Sequence, residues 1–542
     1  MAHHEVEVYQ LMMHATTALA LALLVSLGLL LLHFAAGRRR RGSTDDKPQL
    51  RLPPSPPALP IIGHAHLVGR RPHASLRDLA ARHGGGGVML LRLGAVPNLV
   101  VTSPRAAQAV LRTHDHVFAS RPPSTVADAL VYGSSDVAFA PYGEHWRQVR
   151  KLVTTHLLAA KKVQSNRLAR QEEVRLVMDK IREAVAVDMS EMMNTFANDI
   201  ACRAVSGKFF RAEGRNKLFR ELIEINSILF GGFNLEDYFP WLANSLGFLT
   251  RLVRSKTNEA RQRWDELLEK IIKDHEIRQS SSHLEAGGEQ DESDFIDVLL
   301  SVQHEYGITR DHIKAILMDM FFAGTDTSSL VLELAMAELM RNPEVMKKLQ
   351  DEIMDNTPKG QEMVEEDNLA NMTYLRAVVK ETLRLHPPAP LLLPRLSLAD
   401  CDVEGYTVPS KTRVIINAWA IGRNAEFWEN AEEFIPDRFM EGGSAATIDF
   451  KGKDFQFLPF GAGRRICPGV NFGLATTEIM LANLVYCFDW GLPAGMMKED
   501  IDMTEVFGVT VRLKEKLILV PKPRGNDAYA YAMQAEAGSV IE

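Results

Sequence analysis

The chain has 542 residues, of which 46% are hydrophobic and 24% are charged, and its net charge is -7 at pH 7. This composition is ordinary for a globular protein, so most of the chain is expected to bury a core. The acidic balance argues against a nucleic-acid partner. The four cysteines form neither a CxxC pair nor a regular framework. That usage argues against a disulfide scaffold or a zinc site and suits a reducing compartment.

Residues 11–34 are almost wholly apolar and carry no formal charge. About 20 helical residues cross a hydrocarbon core, so this run predicts a transmembrane helix within an N-terminal region of residues 1–36. Arginines fill positions 38–41, and the positive-inside rule keeps them and the following chain in the cytosol. A cleaved signal peptide is the alternative, because residues 35–37 are small. The length of the run and the basic cluster behind it favour an uncleaved anchor.

Residues 37–63 join the basic cluster to a proline-rich stretch, which favours a stiff, extended hinge. We expect residues 64–523 to form one catalytic domain and residues 524–542 to form a flexible tail. Within the domain, residues 88–101 have the pattern of two short strands around a turn, which predicts a hairpin. Residues 120–140 are rich in Pro, Ser, Gly and Asp. They predict a long loop that could cover a substrate.

The helix expected after this loop carries Trp146 and Arg150 one turn apart. An indole N–H and a guanidinium at that spacing could converge on one anion. A solvated basic face is the alternative interpretation.

A long helix is predicted from about residue 310 to residue 340, and its centre contains several poor helix formers that favour a local distortion. Ala323, Gly324 and Thr327 share one face of this helix, which leaves room for a small ligand. Asp326 beside Thr327 supplies an acid and a hydroxyl through which protons could be relayed. The alternative is a helix–helix contact through small residues.

Glu381 and Arg384 are spaced to pair on one helix face, although surface pairs of this kind contribute little to stability. Arg438 lies in a turn whose shape is restricted by Pro436. Residues 390–395 and 412–418 predict short strands.

Cys467 lies two residues after Arg465 in a loop rich in glycine and proline. Glycines let a backbone run close to a flat ligand, and loop amides can hold a sulfur as the metal-binding thiolate. Arginines can meet carboxylates on the same ligand. The loop therefore predicts an axial haem thiolate, with a buried structural thiol as the alternative. An apolar helix over residues 470–488 is predicted to follow.

These motifs together resemble the cytochrome P450 family, and in particular its plant microsomal A-type group. The cysteine loop matches the signature FxxGxRxCxG at Phe460, Gly463, Arg465, Cys467 and Gly469. Residues 323–327 match (A/G)GxDT, residues 381–384 match ExxR, residues 434–439 resemble FxPxRF, and residues 146–150 match WxxxR. The motifs occur in the family's order across the whole chain. Residues 120–162 and 230–240 most resemble grass enzymes of specialised metabolism, including the indole-oxidising benzoxazinoid group.

The resemblance implies a mainly α fold with small β-sheets, the cytochrome P450 fold, preceded by the transmembrane helix. It implies haem b with Cys467 as the axial ligand of the iron. The same comparison implies contacts to the haem propionates from Arg465, Trp146, Arg150 and Arg395. Asp326 and Thr327, with Gly324 in the same motif as a further catalytic-site residue, would order water and deliver protons to dioxygen. Glu381, Arg384 and Arg438 would form a buried structural triad.

The implied activity is that of a monooxygenase in the endoplasmic reticulum membrane, spanning it once with its catalytic domain in the cytosol. It would insert one oxygen atom from O2 into a small hydrophobic plant metabolite, such as an indole derivative, terpenoid or phenolic. Electrons would come from NADPH through a P450 reductase, with Arg147, Lys151 and Arg464 as a docking face. Substrate contacts are implied at Phe322, Ala323, Leu391, Leu392 and Phe507.

Two other function classes remain open at this point. An isomerase or dehydratase of the same fold would need neither O2 nor a reductase, but such relatives usually depart from the Gly-x-Asp-Thr pattern that is intact here. A non-catalytic haem sensor would need no proton relay.

Overall fold

The computed structural model describes residues 51–232, 234–239, 247–282 and 293–524, together with Gly28. The predicted membrane anchor, the basic cluster and the tail beyond Arg524 lie outside these ranges. Contacts divide the chain into two compact units. Within the described ranges, the first comprises residues 51–122, 234–239, 247–250 and 394–417, and the second comprises residues 123–232, 251–282, 293–393 and 418–524.

The described chain is mainly helical and has small sheets, as expected. Its α-helices are α1 (Pro72–His83), α2 (Pro104–Gln108), α3 (Thr125–Leu130), α4 (Glu144–Leu152), α5 (Ala160–Ser165), α6 (Arg167–Arg182), α7 (Met189–Ser206), α8 (Arg215–Gly231), α9 (Leu235–Tyr238), α10 (Gly247–Ser282), α11 (Phe295–Tyr306), α12 (Arg310–Arg341), α13 (Pro343–Asn356), α14 (Thr373–Leu385), α15 (Ala418–Gly422) and α16 (Val470–Cys487). Short 3-10 helices include Pro436–Phe439 and Gly463–Arg465. The strands are β1 (Val88–Leu93), β2 (Val96–Val101), β3 (Val187–Asp188), β4 (Arg395–Leu396), β5 (Cys401–Val403), β6 (Tyr406–Val408), β7 (Arg413–Ile416), β8 (Phe488–Gly491), β9 (Glu505–Phe507), β10 (Val511–Leu513) and β11 (Ile518–Pro523).

The first unit contains a four-stranded sheet of order β1-β2-β7-β4. Strands β1 and β2 pair antiparallel with Val88 opposite Val101, so the predicted hairpin is confirmed. Its turn contains Gly94 at φ +59, where a Cβ would lie 2.5 Å from the Tyr238 carbonyl oxygen. Only glycine fits this left-handed, crowded position without strain. Strand β7 then joins β2 in parallel.

The second unit is organised around α12, which packs against α7 and α16. Thr309 starts α12 with a capping box, since its hydroxyl accepts the His312 N–H while the His312 side chain accepts the Thr309 N–H. Nearly all residues from Ile313 to Phe321 and from Ser328 to Leu339 are buried. This is the usual state of a helix that forms the centre of a core. Two small sheets, β3-β11-β8 and β10-β9, complete the unit.

Among the described residues, α12 is the one helix long and apolar enough to cross a membrane, and most of it is buried inside the second unit. Its length and composition are those of a core helix. The predicted anchor at residues 11–34 stays a prediction because it lies outside the described residues.

Three expectations about local structure were wrong. The centre of α12 is continuous helix rather than distorted, because packing on both sides outweighs the weak propensities of its residues. The segment 120–140 is not one open loop, since α3 forms within it after the Ser124 hydroxyl accepts the Ala127 N–H as an N-cap. Of residues 390–395, Arg395 alone enters a strand.

Candidate functional site

Cys467 lies in the loop that joins the 3-10 helix Gly463–Arg465 to α16. Its backbone N–H donates to the Phe460 carbonyl at 3.0 Å, and its Sγ accepts the Gly469 N–H at 3.3 Å. Burial raises the pKa of the Cys467 thiol, while the Gly469 N–H and the Arg150 charge act in the opposite direction. A bound metal ion would supply the charge that overcomes this burial and holds the thiolate.

Trp146 and Arg465 contact each other, and Arg150 separately donates a hydrogen bond to the cysteine loop. The Trp146 indole N–H and one Arg465 N–H both donate to the Val137 carbonyl, at 3.1 Å and 3.2 Å. The Arg465 guanidinium carbon lies 4.1 Å from the Trp146 ring centroid. Arg150 donates to the Ile466 carbonyl at 2.6 Å, and burial lowers the pKa of Arg150. Clustered cationic and N–H donors of this kind suit carboxylate groups.

Arg395 belongs to the first unit, where its guanidinium pairs with Asp115 at 3.3 Å. Burial lowers the pKa of Arg395 to about 10, against the opposing effect of Asp115. Its contact to a haem propionate stays a prediction.

The small face predicted on α12 lies beside the helix that follows Cys467. A Cβ on Gly324 would lie 3.6 Å from the Phe472 ring, and a Cβ on Gly473 would lie 4.0 Å from the Ser328 hydroxyl. The Thr327 hydroxyl donates to the Ala323 carbonyl at 2.7 Å. Ala323 is exposed although Phe321 and Thr325 are fully buried. A small molecule can therefore reach the middle of this core helix.

Asp326 faces the turn between β9 and β10 and the helix α8. The Thr510 hydroxyl lies 3.4 Å from Asp326 Oδ2. Burial raises the pKa of Asp326 to about 6, and the Ser227 hydroxyl, Arg512 and the Thr510 hydroxyl limit the rise. A carboxyl group with this pKa changes protonation near neutral pH, which suits a group that passes protons.

Asp326→Asn is expected to flatten the pH dependence of thermal stability. Because folding raises the pKa of Asp326 from 3.8 to about 6, its favourable contribution is complete below about pH 4 and is lost as pH rises through about 6, a difference of roughly 3 kcal/mol. The amide cannot ionise, so the apparent Tm of the variant should fall less than that of the wild type between pH 4 and about pH 7.

Part of the pH dependence of the apparent Tm should remain in Asp326→Asn, because burial also raises the pKa of Glu333 to about 7. Asp128→Asn, at an exposed aspartate, serves as the control and should leave the slope unchanged. A slope that is equal in wild type and Asp326→Asn would contradict the assignment.

Glu381, Arg384 and Arg438 form a fully buried cluster. Arg384 binds Glu381 through two N–H groups at 2.7 Å and 2.8 Å, and Arg438 donates to the same carboxylate at 3.0 Å. Arg384 also donates to the carbonyls of Gly422, Ala431 and Glu433. The triad thus connects α14 to the chain that leads toward the cysteine loop. Residue spacing alone had indicated only a weak surface pair between Glu381 and Arg384.

Three half-buried phenylalanines form an aromatic ladder beside the exposed part of α12. The Phe139 and Phe230 rings stack with centroids 4.7 Å apart and planes 12° apart, and Phe230 lies 5.8 Å from Phe322. The resemblance implied a substrate contact for Phe322, and Phe139 lies in the segment 120–140 that was predicted to cover a substrate, but the stacking of Phe139 on Phe230 was not predicted. No local pattern marks a ring contact between residues so far apart in the chain.

Leu391, Leu392 and Phe507, also implied for substrate binding, are partly buried. Leu392 has a left-handed φ of +50, and its Cδ1 lies 3.5 Å from the position of a Cβ on Gly461 in the cysteine loop. A non-glycine residue held in this conformation stores strain of the kind found at functional sites. Leu391 is its half-buried neighbour, and Phe507 ends β9 one residue before a turn that packs against Gly231.

These residues fit a haem. The site offers a cysteine sulfur that accepts one amide hydrogen bond, adjacent guanidinium and indole donors for carboxylates, and an accessible small face on α12. Once bound, haem supplies the electron-transfer and O2 chemistry that side chains lack. The protein orients the group, tunes its ligand and controls access to it.

The family model for cytochrome P450 matches residues 53–520. This chain belongs to the cytochrome P450 family. Its similarity to named members is high: it is 59% identical over 485 residues to indole-2-monooxygenase of Zea mays, covering 89% of each chain. Indolin-2-one monooxygenase of Zea mays is 53% identical, with 94% of this chain and 96% of the relative covered.

Comparison of structures gives the same fold. A zebra fish cytochrome P450 solved with abiraterone has a TM-score of 0.69 and 24% identity, covering 84% of this chain and 100% of that one. The protein is therefore a cytochrome P450 monooxygenase, as its named relatives are. These named relatives give no support to the alternative functions of an isomerase, a dehydratase or a haem sensor.

Proposed function

We propose that this cytochrome P450 inserts one oxygen atom from O2 into a small, flat indole derivative. The observation that carries the proposal is the ladder of Phe139, Phe230 and Phe322 beside the exposed part of α12. Planar aromatic molecules gain energy from offset stacking on such rings. The maize relatives named for indole and indolin-2-one oxygenation support the same substrate class.

Protons for the reaction would pass along α12. Thr327 holds its hydroxyl toward the Ala323 carbonyl, so its oxygen can accept a hydrogen bond from water. Asp326 lies next to it and titrates near neutral pH. The pair can order water and return a proton from the polar side of α12 to the haem side.

Electrons would come from NADPH through a flavoprotein reductase that docks on a basic face of the second unit. Exposed Arg147 and Arg464 each lie 6.0 Å from the Tyr142 ring, and Arg464 belongs to the 3-10 helix directly before Cys467. Lys151 is exposed on the same helix as Arg147. Complementary charge would steer an acidic partner to this face.

We also propose that the protein is anchored in a membrane. Residues 11–34 would anchor the protein in the endoplasmic reticulum as a single span, with the proline-rich hinge before the catalytic domain. Apolar length and the arginines at 38–41 support this arrangement.

A substrate panel tests the proposed function. Microsomes containing the protein and a P450 reductase are incubated with NADPH and, in turn, indoles, diterpenes and simple phenolics, and products are identified by mass spectrometry. NADPH-dependent oxygenation of indoles is expected. Turnover of a diterpene or phenolic with none of any indole, or turnover without NADPH, would contradict the proposal.

Phe139→Leu is expected to weaken indole binding about threefold to tenfold, because one aromatic pair contributes about 0.5–1.5 kcal/mol beyond its buried area. Phe139→Tyr keeps the ring and should retain most of the affinity. Binding is measured by the substrate-induced shift of the haem absorbance. Phe427→Leu, at a phenylalanine that is 44% exposed, is the matched control. Equal affinities in Phe139→Leu and the wild type would rule out stacking at this position.

A further inference from the structure

Asp319 lies on α12, one turn before Ala323, and is 9% exposed. Its Oδ2 accepts the backbone N–H groups of Val137 and Ala138 at 2.7 Å and 3.2 Å. Asp136 is fully buried, and both of its carboxylate oxygens lie 3.1 Å from the Phe139 N–H. Three consecutive amides are therefore held by two buried carboxyl groups.

The two carboxyl groups contact each other through a side-chain hydrogen bond. Burial and the neighbouring Asp136 charge raise the pKa of Asp319 well above its usual range. Two neighbouring buried acids cannot both ionise at low cost. The hydrogen bonds from the Val137 and Ala138 amides to Asp319 fix the segment Asp136–Ala140 to α12.

This segment bears on two parts of the site at once. Its Val137 carbonyl accepts N–H groups from Trp146 and Arg465, and its Ala140 carbonyl accepts a second N–H from Arg465 at 2.6 Å. Its Phe139 ring stacks on Phe230 in the aromatic ladder. A shift of the segment would move the donor cluster and the ladder together.

We propose that Asp319 is a positioning residue that sets both the Trp146–Arg465 cluster and the Phe139 ring through the segment Asp136–Ala140. The part of this inference that concerns substrate rests on the proposed function. Asp319 itself would touch neither substrate nor haem. Its role is to hold backbone amides, which any side chain of the same shape with a suitable acceptor can do.

Asp319→Asn and Asp319→Leu separate positioning from charge. Asparagine keeps an oxygen for the Val137 and Ala138 amides and offers an N–H to Asp136, whereas leucine has a similar size and leaves both amides unpaired. Glu333→Leu is the matched control, because Glu333 is also a buried acid of α12 but binds Ser190 instead of the segment.

The full-length haem-loaded variants are compared by three measurements. These are hydrogen exchange of the amides at residues 137–139, the rate of haem loss to apomyoglobin, and the binding ratio of indole to decalin, a bicyclic hydrocarbon without aromatic rings. Asp319→Leu should lose amide protection, lose haem faster and lower the binding ratio by about tenfold, in line with two lost hydrogen bonds. Asp319→Asn should stay within about twofold of the wild type.

The inference is overturned if Asp319→Leu matches Glu333→Leu in all three measurements, or if Asp319→Asn behaves like Asp319→Leu. If Asp319→Leu retains no haem, the variant Asp136→Asn is used to test the inference instead. It keeps the Phe139 amide acceptor, so it should preserve protection and the binding ratio, and a loss of either counts against the inference. If wild type fails to bind indole while Asp319→Leu still loses amide protection and haem, the proposed substrate is wrong and the positioning role stands.

Discussion

Replacing Cys467 with alanine will abolish the haem–thiolate absorbance of the reduced, CO-bound protein. The sulfur lies at the turn between the 3-10 helix Gly463–Arg465 and α16, where the Gly469 amide points to it. Alanine keeps the backbone and removes the one atom that can bind iron as a thiolate. The loss should be complete, because the band depends on a sulfur bound directly to the metal.

Two of the buried cysteines provide controls for this substitution. Cys401 and Cys487 are 9% and 7% exposed, and alanine at either position should leave the spectrum of the haem-loaded protein unchanged. Loss of the thiolate band in Cys487→Ala but not in Cys467→Ala would mean that the wrong cysteine has been assigned.

Glu381→Ala will prevent recovery of stable haem-loaded protein. The carboxylate is fully buried and binds the Arg384 and Arg438 guanidiniums, and it also accepts the Ile435 N–H at 2.8 Å. Removing it leaves two buried cations without their counter-charge. Breaking a buried ion pair in this way costs about 3–5 kcal/mol, which is a large fraction of the stability of a typical domain.

The matched control for Glu381→Ala is Glu144→Ala. Glu144 also pairs with an arginine three residues away, but both side chains are mostly exposed, and such pairs contribute little. The measurement is the yield of soluble, haem-loaded protein per total expressed chain, with its apparent Tm. Equal yields for the two variants would show that the triad does not support the fold.

Local patterns predicted much of the secondary structure. The hairpin of β1 and β2 follows from two apolar runs around a Gly-containing turn, and the long helix α12 follows from apolar spacing between polar ends. Trp146 and Arg150 both lie in α4, within the helix predicted after residue 140. Each of these features depends on residues close together in the chain.

Features that depend on distant contacts could not be predicted in this way. The Glu381 carboxylate owes its importance to Arg438, which is 57 residues away, and spacing alone suggested only a weak surface pair. Asp319 holds amides about 180 residues earlier in the chain, and neither Asp136 nor Phe139 belongs to a recognisable motif. The triad was predicted from the family resemblance, whereas the pair of Asp136 and Asp319 and the aromatic ladder could be identified only from the structure.

We propose that this cytochrome P450 transfers one atom of O2 to an indole-type substrate. The most direct test supplies isotopically labelled O2 to the purified protein with reductase, NADPH and indole, and analyses the product by mass spectrometry. One labelled oxygen atom is expected in the product, and no product is expected without NADPH. A product that carries oxygen from water, or that forms equally without O2, would contradict it.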